Sequence, residues 1–238
     1  MTWIYFDESG EHKAGKLQRL TLGCAIASCD QWNALEGPWR KIIADAGIDF
    51  FHMVDFEARQ PPYDGWSDDK RRKVLNDLLE LMRVNIPRYW GVSDFADEIN
   101  SVRQFRAAYQ KNVIKLFMEM VADPGSFPEG PINVVFAKHK NISNQFIGRF
   151  FDLFDYWLPS RLKFGGFGEP VSLPQLQAAD IVAYEFSRTA RKERPDRERY
   201  PLVRLAEKAR EFTLYHASRF GLEHYEWGAD QSRRRFEG

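Results

Sequence analysis

The seven residues Ile4-Tyr5-Phe6-Asp7-Glu8-Ser9-Gly10 constrain this chain more than any other stretch. Their aromatic and β-branched start reads as a strand. The strand ends in two adjacent carboxylates, a hydroxyl and a glycine. An acid delivered to the C-terminal end of a strand is a common way to hold a hard divalent cation. Magnesium asks for a few fixed oxygen ligands and keeps its other waters for a substrate phosphate. Gly10 would let backbone or ligand come close. The same four residue types also make a plain turn. A second acidic site elsewhere in the chain has to decide between these readings.

Composition narrows the class. The chain has 238 residues, 44% of them apolar and 15% aromatic. That length fits one large domain with a real core. Lys and Arg total 34 and Asp and Glu total 34, so no global field draws the protein onto a polyanion or an anionic membrane. Nucleic-acid binding would therefore need a local patch. Cys24 and Cys29 match no zinc spacing, and Cys24 sits in an apolar run as a small buried residue. The start lacks the basic and apolar regions of a secretory signal, and no apolar run reaches the roughly 18 residues of a membrane span. The expectation is a soluble, cytoplasmic protein.

The chain then alternates strands and helices. Residues 2–7 and 17–27 read as an antiparallel pair joined by a polar loop over 11–16. Asp30 is a candidate cap for a helix to about Ala46, which Gly37-Pro38 should break or kink. Ser67 can cap a helix over 68–85, where Val74, Leu75, Leu78, Leu79 and Met82 recur at helical spacing. Strands are expected over 88–93 and 132–136, and helices over 105–121, 144–157, 174–191 and 202–220. Phe164-Gly165-Gly166-Phe167-Gly168 reads as a loop, and 193–201 as a charged linker. Trp66, Trp90 and Trp157 read as core or loop anchors. Arg233-Arg234-Arg235 reads first as an exposed charge run. The order implies an α/β domain, a mixed central sheet flanked by helices. It spans 1–238 as one unit, with a helical insertion around 95–125 and a C-terminal helix around 202–220.

The second acidic site lies in Leu173-Pro174-Gln175-Leu176-Gln177-Ala178-Ala179-Asp180-Ile181. Helical spacing puts Gln177, Asp180 and Tyr184 on one stripe. Asp180 is an acid inside a mostly apolar helix, and a buried carboxylate must be paired, protonated or metal-bound. It could also be a structural Asp that caps a neighbouring loop. Glu185 lies about 140° around the helix from Asp180 and does not share the stripe. Ala178 and Ala179 would let the helix approach a sheet closely.

Three features together resemble the family known as domain of unknown function 3800. They are Tyr5-Phe6-Asp7-Glu8-Ser9-Gly10, Phe51-His52-Met53-Val54-Asp55-Phe56 and Leu176-Gln177-Ala178-Ala179-Asp180-Ile181. That family is similar to the ribonuclease H-like superfamily, and the resemblance covers residues 3–190. It implies phosphodiester hydrolysis assisted by two divalent ions, Mg2+ or Mn2+, on a nucleic acid, DNA or RNA. On this resemblance Asp7 is the bridging metal ligand and Asp180 the ligand from the closing helix. Glu8 is a further ligand only if the strand ends or twists, because adjacent strand residues face opposite ways. Ser9 and Gly10 would shape the phosphate approach, and Gln177 would contact substrate.

His52 and Asp55 meet if their segment is helical. They then form either a catalytic base beside a carboxylate ligand or a loop histidine bonded to its local Asp. One departure stands out. The strand expected to pair with the first, Ile132 to Lys140, carries no acid at its end. Lys138, His139 and Lys140 stand there instead, and the two lysines suit a phosphate contact or a solvated edge. Either Asp55 or Glu57 substitutes, or the site holds one metal, or the chemistry has been lost. The leading expectation is a divalent-metal-dependent nuclease or related phosphodiesterase. A catalytically inactive binding or partner protein of the same fold is the main alternative, and a small-nucleotide phosphohydrolase is a third.

Overall fold

The computed structural model describes residues 1–13, 16–122, 130–157, 161–190, 200–207, 209, 211–218, 221–226 and 233–235. The linker expected over 193–201 lies almost wholly outside them. The opening hairpin is longer than its sequence pattern implies. β1 runs Thr2–Lys13 and β2 runs Lys16–Ser28, so Asp7, Glu8, Ser9 and Gly10 are all strand residues rather than a turn. Pairing holds them there: Asp7 opposes Gly23, Glu8 opposes Leu22, and the first register shift comes only between Glu11 and His12.

Three helices then intervene: α1 Cys29–Ala46, α2 Met53–Ala58 and α3 Asp68–Asn85. The cap of α1 is Ser28, not Asp30; Ser28 and Gln31 close a reciprocal capping box. Gly37-Pro38 does not break this helix. Both residues sit on its exposed side, as does Ala34, whose carbonyl loses a partner at Pro38 and is left to water. Ser67 caps α3 as its sequence indicates.

β3 runs Arg88–Ile99, α4 Val102–Ala122, β4 Ile132–Ala137, α5 Asn144–Trp157, β5 Leu162–Gly168 and α6 Pro174–Ala190. The helix expected within 95–125 is α4, but β3 occupies its first residues. The larger helical insertion is α1 to α3, between β2 and β3. The glycine-rich stretch expected as a loop is strand β5, with a register shift opposite Val134 and Val135 that absorbs the extra glycine. The helix expected over 202–220 stops early. α7 covers only Tyr200–Ala206, and Glu211–Ser218 is strand β6, parallel to β3. Phe212, Thr213 and Tyr215 suit a strand, and the unpaired edge of β3 supplies its partner. β7 Gly221–Glu226 and β8 Arg233–Arg235 extend this edge.

The result is one mixed sheet in the order β5-β4-β1-β2-β3-β6-β7-β8. β1 pairs β4 in parallel and β2 antiparallel, which places it at the centre. Alternation along each strand separates two cores. Ile4, Phe6, Leu22, Cys24, Trp90, Val92 and Phe136 face α4 and α5, where Tyr109, Phe117, Phe150 and Phe154 cover them. Tyr5, Ala25, Tyr89 and Val135 face α6 and, beyond it, the insertion α1 to α3. Trp90 is buried and Trp66 packs on this second core, as anchors. No helix among the described residues is long and apolar enough to cross a membrane.

Candidate metal centre

The close approach of α6 to the sheet is what assembles the site. A Cβ on Gly23 would lie 2.5 Å from both Cα and N of Ala183, and one on Gly91 2.1 Å from the Phe186 ring. Glycines on β2 and β3, and Ala179 and Ala183 on the helix, therefore let α6 lie directly on the strands. Gly23 is the register partner of Asp7, so this contact brings the acid stripe of α6 to the middle of β1.

Because β1 stays regular, Asp7 faces α6 and Glu8 faces α4. They nevertheless act on each other and on Asp180. Asp7 is held well above the ordinary carboxylate range by burial, then by the charges of Glu8 and Asp180; the Glu8 N–H, which donates to Asp7 Oδ1 at 2.8 Å, offsets part of this. Glu8 is pushed up to about 8 by burial and then by Asp180. Asp180 is pushed up to about 6 by burial, with Asp55 adding to the rise; His52 and the Met53 N–H oppose it. Glu8 keeps 14% of its side chain exposed, yet its Oε2 is buried without a hydrogen-bond partner. Burial and neighbouring charges thus raise the proton affinity of all three carboxyls. Among the described residues no group of three His, Cys, Asp or Glu side chains is arranged to hold a metal ion.

Asp180 also does the structural work that its sequence left open. Its Oδ2 accepts the Met53 N–H at 2.6 Å, which caps the start of α2, where His52 offers no side-chain cap. The same turn brings in the other pair. His52 Nδ1 lies 2.7 Å from Asp55 Oδ2, about two-fifths of each side chain exposed. Burial pushes the His52 imidazole down, but the Asp180 charge and the bond and charge of Asp55 outweigh it and hold it above its usual value. His52 is the extended N-cap of α2 and Asp55 lies in its first turn, so the pair meets across the helix start and borders Asp180.

The other expected contacts divide. Ser9 is buried and shares the Asp7 face of β1. Gln177 is fully engaged inside the protein: its Oε1 accepts from Trp39 Nε1 at 2.9 Å and from Phe51 N at 3.0 Å, and its Nε2 donates to the Pro170 carbonyl at 2.8 Å. It is a brace between α6, α1 and the His52 segment, not a free substrate contact. Lys138 and Lys140 are exposed at the end of β4, and Lys138 pairs with Glu169. They line a groove of about 610 Å³ with His139, Ser143, Asn144 and Phe167. β4 runs parallel to β1 with Phe136 beside Phe6, so its end does stand next to the acids, and it brings no carboxylate.

Two groups near Glu8 were not among the sequence candidates. His139 Nε2 is 4.0 Å from Glu8 Oε1. Tyr109 of α4 is buried, and its hydroxyl is held well above its usual range by burial and then by Glu8 and Asp7. His139 was signalled by its place at the end of β4; Tyr109 read only as one aromatic on an apolar stripe.

No family model matches the chain, and no curated protein does. Among the solved structures similar to it are two of Bst-RNase HIII. One is a point mutant of Bst-RNase HIII, with 12% identity, a TM-score of 0.35, and 80% of this chain and 55% of that one covered. The other is Bst-RNase HIII in complex with Mn2+, with 14% identity, a TM-score of 0.35, and 87% and 61% covered. This chain thus spans little more than half the length of either. At that TM-score the likeness adds nothing to the topology read from the strands themselves.

Proposed function

We propose that this protein is a divalent-metal-dependent phosphodiester hydrolase acting on nucleic acid, with Asp7 and Asp180 as the residues that would hold Mg2+ or Mn2+. The observation that supports the reading is the seating of α6 on Gly23, the register partner of Asp7, with Asp7 and Asp180 both buried and the Asp180 charge adding to the rise of Asp7. An all-oxygen, carboxylate donor set suits a hard cation. Such an ion, when bound, polarises a phosphoryl oxygen and acidifies a water. His52, bonded to Asp55, would accept a proton from the attacking water. Lys138, which pairs with Glu169, and Lys140 stand exposed just past the end of β4 and would meet substrate phosphates as point charges.

Titration calorimetry with Mn2+ and a panel of single- and double-stranded DNA and RNA test this. The wild type should bind Mn2+ and cleave at least one polymer, and Asp7→Asn with Asp180→Asn should lose both. Metal binding that survives the double change refutes the assignment.

A second reading is a non-catalytic binding protein that keeps the fold. Two observations favour it: Asp180 already caps α2, and β4 ends without an acid. Binding of a nucleic acid without cleavage, under any divalent ion, selects it.

A further inference from the structure

The segment that carries His52 is held by its own backbone donors. Three successive N–H groups each go to a side chain from elsewhere in the chain. Phe51 N donates to Gln177 Oε1 at 3.0 Å, His52 N to the Tyr63 hydroxyl at 2.9 Å, and Met53 N to Asp180 Oδ2 at 2.6 Å. Gln177 and Asp180, three apart on α6, take the outer two. The middle donor, that of His52 itself, goes to Tyr63, which lies between α2 and α3. Donors at a helix start have no acceptor within the helix, and His52 is the extended residue at which α2 begins.

Tyr63 is itself firmly seated. It is buried, with its ring centroid 6.0 Å from that of Phe51, 5.4 Å from Phe56 and 5.2 Å from Trp66. Its hydroxyl accepts from His52 N and donates to the Phe50 carbonyl at 3.3 Å, so both of its bonds go to the same stretch of backbone. Burial pushes this hydroxyl up to about 12; the His52 N–H opposes the rise, and the charges of Asp180 and Asp55 add to it. The main chain of Tyr63 is tied to the other half of the pair. Its N–H donates to the Gln60 carbonyl at 2.8 Å, and the Gln60 N–H to the Asp55 carbonyl at 2.9 Å. One residue thus holds His52 by its side chain and Asp55 through its backbone.

The imidazole has one nitrogen left for chemistry. Nδ1 lies 2.7 Å from Asp55 Oδ2, and a carboxylate only accepts, so Nδ1 carries the proton and Nε2 keeps its lone pair. Where that lone pair points depends on the backbone from which the ring projects. On the reading that His52 accepts a proton from the attacking water, we infer that Tyr63 is a positioning residue for His52, its hydroxyl fixing the main chain that aims the ring.

Tyr63→Phe removes one oxygen and keeps the ring, and thermal melting checks that the full chain still folds. With Mn2+ and the polymer that the wild type cleaves, kcat should fall by about tenfold or more while KM holds, since a 1 Å misplacement at a reacting centre is worth about 10²-fold. Trp66→Leu is the control for packing alone. It takes an aromatic neighbour from Tyr63 but leaves the hydroxyl, so it should melt lower and keep the wild-type kcat. A Tyr63→Phe chain with wild-type kcat, or a Trp66→Leu chain that loses as much, makes Tyr63 merely structural; the inference falls and the hydrolase reading stands. A wild type that cleaves no polymer removes that reading and the inference with it. Amide hydrogen exchange of the metal-free protein gives a readout independent of cleavage. Tyr63→Phe should speed exchange at the His52 N–H, while Phe51 and Met53 stay protected by Gln177 and Asp180. An unprotected His52 N–H in the wild type, or equal protection in both chains, refutes the argument.

Discussion

The seating of α6 on the sheet can be challenged at one atom. Gly23→Ala adds a Cβ 2.5 Å from two backbone atoms of Ala183, whereas ordinary contact begins at 3.4 Å. Backbone cannot rotate away as a side chain can, so α6 must retreat by about 0.9 Å or β2 must bend. Overpacking of this kind costs about 1–3 kcal/mol, and a rigid obstacle puts this case in the upper half of that range. The same retreat moves Asp180 away from Asp7 and strains its 2.6 Å bond to Met53 N. A displacement near 1 Å at a reacting centre is worth about 10²-fold in rate. Urea unfolding should show a lower midpoint with an unchanged slope, and any metal-dependent cleavage should fall by about that factor. Gly37→Ala is the control. Gly37 lies inside α1 with nothing within 4 Å of its would-be Cβ, so alanine there should stabilise by about 0.5–1 kcal/mol. If Gly23→Ala unfolds within 0.5 kcal/mol of the wild type, the account of how α6 positions the acids is wrong.

Further outcomes follow from the same geometry. Gln177→Ala strips two buried donors, Trp39 Nε1 and Phe51 N, of their acceptor, and should cost at least about 2 kcal/mol in urea unfolding, at about 1–3 kcal/mol per orphaned group. Asp180→Asn keeps an oxygen for Met53 N and should fold with nearly wild-type stability, whereas Asp180→Ala should lose about 1–2 kcal/mol with the cap. The pH dependence of the metal-free protein has a definite sign. Asp7, Glu8 and Asp180 are raised in the folded state, so their contribution is complete below the unfolded values near 4 and is lost as pH rises through about 6 for Asp180 and about 8 for Glu8. His52, raised above 6.5, acts in the same direction. Thermal melts without divalent ions should therefore show these groups destabilising the fold between about pH 4 and pH 8, and added Mn2+ should reverse the loss.

The sequence was most legible where a long element repeats one pattern. The apolar spacing of α3, the alternation in β1 and β2, and the acid within the apolar α6 each have a local cause, and each element formed. The errors have non-local causes. Phe212 to Ser218 becomes strand because β3 leaves an edge to pair with, a fact of the sheet rather than of that segment. The glycines of β5 read as loop because a bulge is seen only against its partner strand. The site divides in the same way. Asp7 and Asp180 could be paired on paper because each carries a local signal, Asp7 after an apolar run and Asp180 inside an apolar helix stripe. The brace at Gln177 could not, since Trp39 and Phe51 lie 138 and 126 residues away along the chain. The seating of the His139 ring depends on the Asn141 N–H and on Phe105 of α4, which no spacing records.

β1 divides the molecule into two cores, and its two acids point into different ones. Any ligand shared by Asp7 and Glu8 has to straddle the sheet instead of resting on one face. Packing changes under α6 would reach such a ligand through Asp7 and Asp180, and changes under α4 through Glu8, His139 and Tyr109. Neither hydrophobic layer is then free to drift independently of the other, because both are held to a common tolerance at the middle of one strand.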